Sequence, residues 1–186
     1  MDCLRTKSMI FKHSFSLHPD LKSGLLHSIK YSPGKEFKDS NDSIAKTDYY
    51  EKLSIDQKQY LGLLHSNLNS VYEDMMQHYC ISDFSLYNGW YQQYNKSDTH
   101  GWHIHAMSTL SMVYYIELED PTDCTEFWIP ETRTRFQPDV VEGDIIVFPA
   151  SIPHRSPPLQ SSSRKTIISC NYNIQKINSN CINNGK

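Results

Sequence analysis

The chain has 186 residues, enough for one hydrophobic core and short for two, and a formal net charge of −3 from 18 Lys+Arg and 21 Asp+Glu. Its pI is near 6.3 and its mean hydropathy is −0.58. It contains no basic run and no apolar stretch approaching the roughly 20 residues of a membrane span, which argues against nucleic acid, membrane surfaces and membrane spans as its setting.

The opening MDCLRTKSMIF lacks the apolar centre and cleavage site of a secretory signal. The cysteines Cys3, Cys80, Cys124, Cys170 and Cys181 are odd in number and never form CxxC, so they read as reduced thiols in a cytoplasmic protein. Residues 1–186 are expected to form one unit: mostly helical and loop support over 1–82, a β-barrel core over 83–175, and a fraying polar tail over 176–186. A dimer is compatible with the sequence, which does not fix the oligomeric state.

In chain order, a short helix is expected from His18-Pro19-Asp20, with Leu21, Leu25, Leu26 and Ile29 on one side. Residues 35–48 turn to Lys, Asp, Ser and Asn and read as a solvated loop. Ser54-Ile55-Asp56-Gln57 has the form of a capping box. Tyr60, Leu64, Leu68, Val71, Met75 and Tyr79 follow at helical spacing, so one helix is expected from Ser54 through about Tyr79. After Ser82 the pattern changes to short β-branched and aromatic runs broken by turn residues. Strands are expected at Leu86 to Tyr94, Trp102 to His105, Ser108 to Leu118, Thr125 to Ile129, Thr134 to Gln137, Asp144 to Phe148 and Lys165 to Ile174. Consecutive strands without intervening helices point to an antiparallel sandwich or barrel.

The segment His100-Gly101-Trp102-His103-Ile104-His105 carries the strongest chemical signal. Residues i and i+2 of a strand share a face about 6.6 Å apart, so His103 and His105 can converge on one metal ion. His100 lies off that alternation and reads as a loop residue, with gating as its alternative role. His154 follows the strand Ile145 to Phe148, and Pro149 and Pro153 bracket the connection that holds it. Three neutral imidazoles leave open positions on an octahedral Fe(II), although three histidines and a water also describe a catalytic zinc site.

The strand WYQQYN led by Trp90 and the segments WHIHAMSTLSMVYYIE, GDIIVFPASIPHRSPP and RKTIISCNYNI together resemble the 2-oxoglutarate/Fe(II) oxygenases of phages and marine bacteria, a prolyl-hydroxylase-like branch. The resemblance implies a mainly β fold with supporting helices, the double-stranded β-helix or jelly-roll/cupin-like barrel. It also implies Fe(II), 2-oxoglutarate and O₂ as cofactor and co-substrates, and hydroxylation or other oxidation of a C–H bond. His103 and His105 stand at the paired ligand positions and His154 at the distal one, although most of the wider superfamily has a carboxylate where His105 stands. The family's cation for the distal carboxylate comes from the final strand, which makes Arg164 and Lys165 both candidates. Strand alternation lets one face inward: Ser169-Cys170-Asn171 favours Lys165, whereas the pairing of Arg164 with Thr166 favours the other register. Gln92 is a candidate polar contact from the facing strand. Ser111-Met112 replaces the Ser-Gly of close relatives and is expected to narrow the pocket.

Two other functions fit parts of the sequence. GDIIVFPASIPH also resembles the second motif of cupin-type dioxygenases, which use three histidines without 2-oxoglutarate, but no acidic residue follows His105 before Glu117. A non-catalytic ligand-binding barrel is the third, since fold alone does not guarantee catalysis.

Overall fold

The computed structural model describes residues 9–179 and 181. The first helix forms as expected, α1 (His18–Tyr31), with Pro19 in its first turn and Leu25 and Ile29 buried. The expected second helix is three pieces: a 3₁₀ turn at Ile55–Gln57, α2 (Gln59–His65) and α3 (Asn69–His78). The capping box at Ser54 is present, with Gln57 Oε1 accepting from the Ser54 N–H at 2.9 Å. The break between α2 and α3 has a local cause. Ser66 Oγ and Asn67 Nδ2 both donate to the Leu63 carbonyl, at 3.0 and 2.9 Å, and draw it out of the helical ladder. The periodic face survives the break, because Tyr60, Leu64, Leu68, Val71 and Met75 are all fully buried.

Among the described residues eleven strands follow the chain. They are β1 (Phe11–Ser14), β2 (Lys35–Lys38), β3 (Ser43–Thr47), β4 (Ile81–Tyr94), β5 (His100–His103), β6 (Leu110–Glu117), β7 (Glu126–Ile129), β8 (Thr134–Phe136), β9 (Asp144–Pro149), β10 (His154–Ser156) and β11 (Lys165–Ile177). Seven form a sheet in the order β1-β9-β6-β11-β4-β3-β2, and four form a second in the order β5-β10-β7-β8. All pairings are antiparallel, as expected for the barrel.

The segment read as a solvated loop is the β2–β3 hairpin, and β3 pairs with β4 at the edge of the larger sheet. Its turn is closed by Asp39 Oδ1, which accepts from the N–H groups of Asn41 and Asp42. An edge hairpin buries few side chains and tolerates this polar composition, so hydrophobic alternation does not announce it.

Alternation along the long strands divides the core in two. Tyr91, Met112, Tyr114, Ile168, Cys170 and Tyr172 face the helices. Tyr94, Val113, Tyr115, Phe148 and Ile167 face the space between the sheets. Met112 borders the pocket as expected, although its side chain packs on the helix side. Its Sδ accepts from the Tyr172 hydroxyl at 3.6 Å on the helix side.

Cys80 and Cys181 form a disulfide, which corrects the expectation of reduced thiols throughout and removes the cysteine argument for a reducing compartment. Cys124 and Cys170 are free and buried. The bond ties the residues after β11 to the turn between α3 and β4, where Cys80 adopts a left-handed conformation (φ 53°). Cys181→Ser is expected to cost about 3 kcal/mol, roughly 10 °C in Tm under non-reducing conditions. Dithiothreitol should erase the difference in a melt followed by circular dichroism. Among the described residues no helix is long and apolar enough to cross a membrane.

Candidate metal centre and its chamber

The smaller sheet brings the histidines together. β10, a strand the sequence does not announce, pairs His154 directly with His103 of β5 and Ser156 with His100. His105 lies two residues beyond the end of β5, held by its N–H donating to the Ala150 carbonyl at 2.9 Å. The expected strand is thus displaced, and His100 belongs to it rather than to a loop. The nitrogen donors of His103, His105 and His154 all lie within 4.8 Å of one another, the arrangement one metal ion requires.

Backbone carbonyls fix two of the rings. His103 Nδ1 donates to Gly101 O at 2.8 Å and His154 Nδ1 to Ile152 O at 2.9 Å. With Nδ1 carrying the proton, Nε2 of each ring is left as a lone-pair donor, the usual preparation of a histidine for metal. The Asn171 amide bonds Ser111 on one side and meets His105 Nδ1 at 3.4 Å on the other. Trp90 packs against the His105 ring, with centroids 5.5 Å apart. His100 stacks on His103 at 4.0 Å, and its Nε2 lies 3.9 Å from Asp42 Oδ2.

Burial keeps these rings neutral. It pushes His105 down to about 4 and His100 to about 3, with neighbouring histidines adding to the effect, and it lowers His103 and His154 as well. His65, under the sheet, is also pushed down to about 4 by burial. A histidine free in the unfolded chain takes up its proton near pH 6.5. Below that pH the unfolded state binds more protons than the folded one, so stability falls as the pH drops toward 4. The metal-free protein is expected to lose several degrees of Tm between about pH 6.5 and 4.5. A flat profile in a buffer-matched melting series contradicts this.

The final strand resolves the alternation that the sequence leaves open. Lys165 points inward and is 2% exposed. Its Nζ donates to the Asp123 backbone carbonyl at 2.8 Å and to Ser156 Oγ, and lies 4.5 Å from the centre of the Tyr94 ring. Among the described residues no carboxylate lies within ion-pair distance of it. Burial lowers its pKa to about 8, partly offset by Asp123 and Cys124. Arg164 turns the other way, into a two-pronged ion pair with Glu117 at 2.9 Å for each contact. Thr166 shares that outer side, donating to Glu117 and accepting from Gln93. Gln92 faces inward and meets His100 Nδ1 at 3.3 Å.

Against the histidines lies a chamber of about 30 Å³, walled in part by Gln92, Tyr94, Ser156 and Asn171, and Lys165 touches two of these, Ser156 and Tyr94. The Tyr94 hydroxyl is buried without a hydrogen-bond partner among the described residues. Sequence reasoning passes over Tyr94, Ser156 and Asn171. The alternation that places Lys165 inward also places Ser169 and Asn171 inward, so Asn171 was within reach of the pattern.

Solved structures share this architecture. A prolyl-4-hydroxylase from Pseudomonas putida matches with a TM-score of 0.60 and 13% identity, over 94% of this chain and 100% of that one. An oxidoreductase of the 2OG-Fe(II) oxygenase family from Burkholderia pseudomallei matches with a TM-score of 0.71 and 10% identity, over 94% and 90%. The fold is the double-stranded β-helix of the 2-oxoglutarate/Fe(II) oxygenases. HygX from Streptomyces hygroscopicus, solved with nickel, 2-oxoglutarate and hygromycin B bound, matches with a TM-score of 0.67 and 7% identity, over 90% and 83%. No family model and no curated protein matches the chain.

Proposed function

We propose that the protein is a non-haem Fe(II) dioxygenase that uses 2-oxoglutarate and O₂ to hydroxylate or otherwise oxidise a C–H bond. The observation that carries this reading is a three-imidazole cluster lining a chamber whose Ser156 and Tyr94 are backed by a buried, carboxylate-free lysine. The donor set fits a divalent metal with open positions for a bidentate ligand. The Ser156 and Tyr94 side of the chamber fits a carboxylate, because Lys165 behind it and the Tyr94 hydroxyl are both buried donors for which an anion is the natural complement. His154 and Ser156 are two residues apart on β10, so the metal ligand and the hydroxyl that touches Lys165 are separated by about 6.6 Å of strand. That spacing suits a short dicarboxylate.

In this reading His103, His105 and His154 hold the iron, which supplies the oxidising chemistry when O₂ and 2-oxoglutarate are bound. The protein's part is positional. Lys165, with Tyr94 and Ser156, holds the distal carboxylate of the co-substrate, while Gly101 O, Ile152 O and Asn171 orient the ligand rings. Phe127, Phe148 and Ile167, all within the inner cluster, keep water from the chamber. The chamber holds little more than two waters, so admission of the co-substrate requires lining side chains to rotate. The cytoplasmic placement expected from the sequence is retained as part of this proposal, and nucleic acid is not expected as a substrate.

Anaerobic addition of Fe(II) and 2-oxoglutarate should give a weak visible charge-transfer band, and turnover should release succinate. Metal-loaded protein without the band would sink the co-substrate assignment. The absence of any carboxylate from the donor set favours one second reading, a cupin-type dioxygenase that binds its organic substrate directly. O₂ uptake measured with and without 2-oxoglutarate separates the two.

A further inference from the structure

A second cavity, of about 200 Å³, opens beside the histidines and shares Trp90 and Gln92 with the first. His100, His103 and His105 form its floor, and Tyr49, Tyr50 and Trp90 form its walls. The aromatic rings brace one another. Tyr49 meets Trp90 edge to face at 4.9 Å and Tyr50 at 5.0 Å, and Tyr50 stacks on Phe37 at 4.6 Å. Tyr49 and Tyr50 nevertheless remain 49% and 47% exposed. Two large rings left half open at the mouth of a reactive chamber mark a surface that a ligand covers.

The wall is held in place from beneath. Asp48, adjacent to Tyr49, is fully buried. Its carboxylate takes Lys58 Nζ at 3.1 Å, the Tyr60 hydroxyl at 2.6 Å and the Tyr91 N–H at 3.1 Å, while Thr47 Oγ1 donates to Tyr91 O at 2.8 Å. A buried ion pair contributes little net stability over an apolar replacement. Its location gives it another use, to fix the backbone that presents Tyr49 and Tyr50 before any ligand arrives.

The charge pattern narrows the ligand. Among the described residues no Lys, Arg, Asp or Glu lines this cavity. Burial, then Tyr49 and the carboxylates of Asp42 and Asp39, hold the Tyr50 phenol above its ordinary value, and Asp42 Oδ2 lies 3.9 Å from Nε2 of His100 in the cavity lining. Asp42 also accepts from the Gly101 N–H at 2.7 Å, which fixes it there. Arg155, which borders the first chamber and not this cavity, is already paired with Glu126. A dicarboxylate is therefore drawn to the Lys165 end and turned away from this one. In volume the cavity falls below the roughly 300–1,000 Å³ of sites for drug-sized ligands, and suits one ring with its substituents.

We propose that this cavity is the substrate vestibule and that Tyr49, Tyr50 and Trp90 select, as the reacting part of the substrate, a single uncharged or cationic ring while excluding anions. The proposal rests on the oxygenase reading only for the chemistry done there. Flat aromatic walls bind ring faces and edges, and favour a cation over an anion at the same distance.

The test uses three probes that share one ring and differ in charge, benzamide, benzylamine and benzoate. Their binding is followed by saturation-transfer NMR on the metal-free protein and again on protein loaded with zinc and 2-oxoglutarate. Benzoate signal that excess 2-oxoglutarate displaces is assigned to the Lys165 end and set aside, so that it is not mistaken for vestibule binding. Benzamide and benzylamine are expected to bind about tenfold more tightly than benzoate, and Tyr50→Ala to weaken them about tenfold. Tyr87→Ala, which removes an exposed tyrosine of β4 outside the cavity, is expected to leave them unchanged. Benzoate binding as well as benzamide, or ring binding indifferent to Tyr50→Ala, or no ring binding at all, overturns the proposal. Ring binding in protein that fails to take 2-oxoglutarate would instead sink the oxygenase reading and leave the vestibule standing.

Discussion

His154→Ala is expected to weaken Fe(II) binding at least about a hundredfold and to abolish succinate release, because the loss of a group that merely supports a ligand already costs roughly 10- to 100-fold. His154 is the most buried of the three histidines and the cross-strand partner of His103. Among the described residues no other imidazole joins the cluster, and His100 is engaged in stacking on His103 and with Gln92. Metal titration followed by calorimetry, with circular dichroism confirming the fold, measures the effect. Near-native affinity in a folded His154→Ala protein removes the metal centre as described. His105→Asp makes the complementary case. It introduces the carboxylate that most of the wider superfamily carries, and is expected to retain Fe(II) if position 105 is a ligand.

Lys165→Met should separate binding from stability. The methionine keeps much of the stem's volume and removes a buried ammonium group whose partners are a carbonyl, a hydroxyl and an aromatic face. A charge-assisted hydrogen bond to the co-substrate is worth about 2 kcal/mol, so the KM for 2-oxoglutarate should rise roughly thirtyfold. Stability of the metal-free protein should hold or increase, because an unpaired buried cation is costly. Arg164→Met is the control: its partner Glu117 lies on the outer side, and its removal should change the KM little. The lysine must be protonated to hold an anion, and burial brings its pKa to about 8. Affinity for 2-oxoglutarate should therefore decline as the pH rises through about 8, and in Lys165→Met that dependence should vanish. Equal KM values for native and Lys165→Met protein would contradict the assignment.

The sequence by itself settled what local pattern can settle. His18-Pro19-Asp20 starts a helix because proline suits the first turn, and the apolar periodicity around Tyr60, Leu68 and Met75 marks a buried face whether or not the helix is continuous. The strands β4, β6, β9 and β11 were legible because their alternating or continuous apolar runs reflect burial on one face or both. The three histidines stood out for the same reason: a spacing of two and a proline-bracketed strand end are properties of the chain.

Features that depend on a partner distant in sequence were not legible. β10 is a three-residue strand defined by its neighbours β5 and β7, and the β2–β3 hairpin is an edge with little to bury. The Cys80–Cys181 disulfide joins positions 101 apart, which no spacing rule could pair. Two inward-facing candidates on one strand differ by a single register step, and β11 fixed that step by pairing Lys165 with Tyr94 and Thr166 with Gln93. A strand's sequence specifies which residues share a face. Only packing against the rest of the barrel decides which face looks in, and with it that Lys165 lies against the chamber wall, that Arg164 does not, and that the imidazoles of His103, His105 and His154 meet.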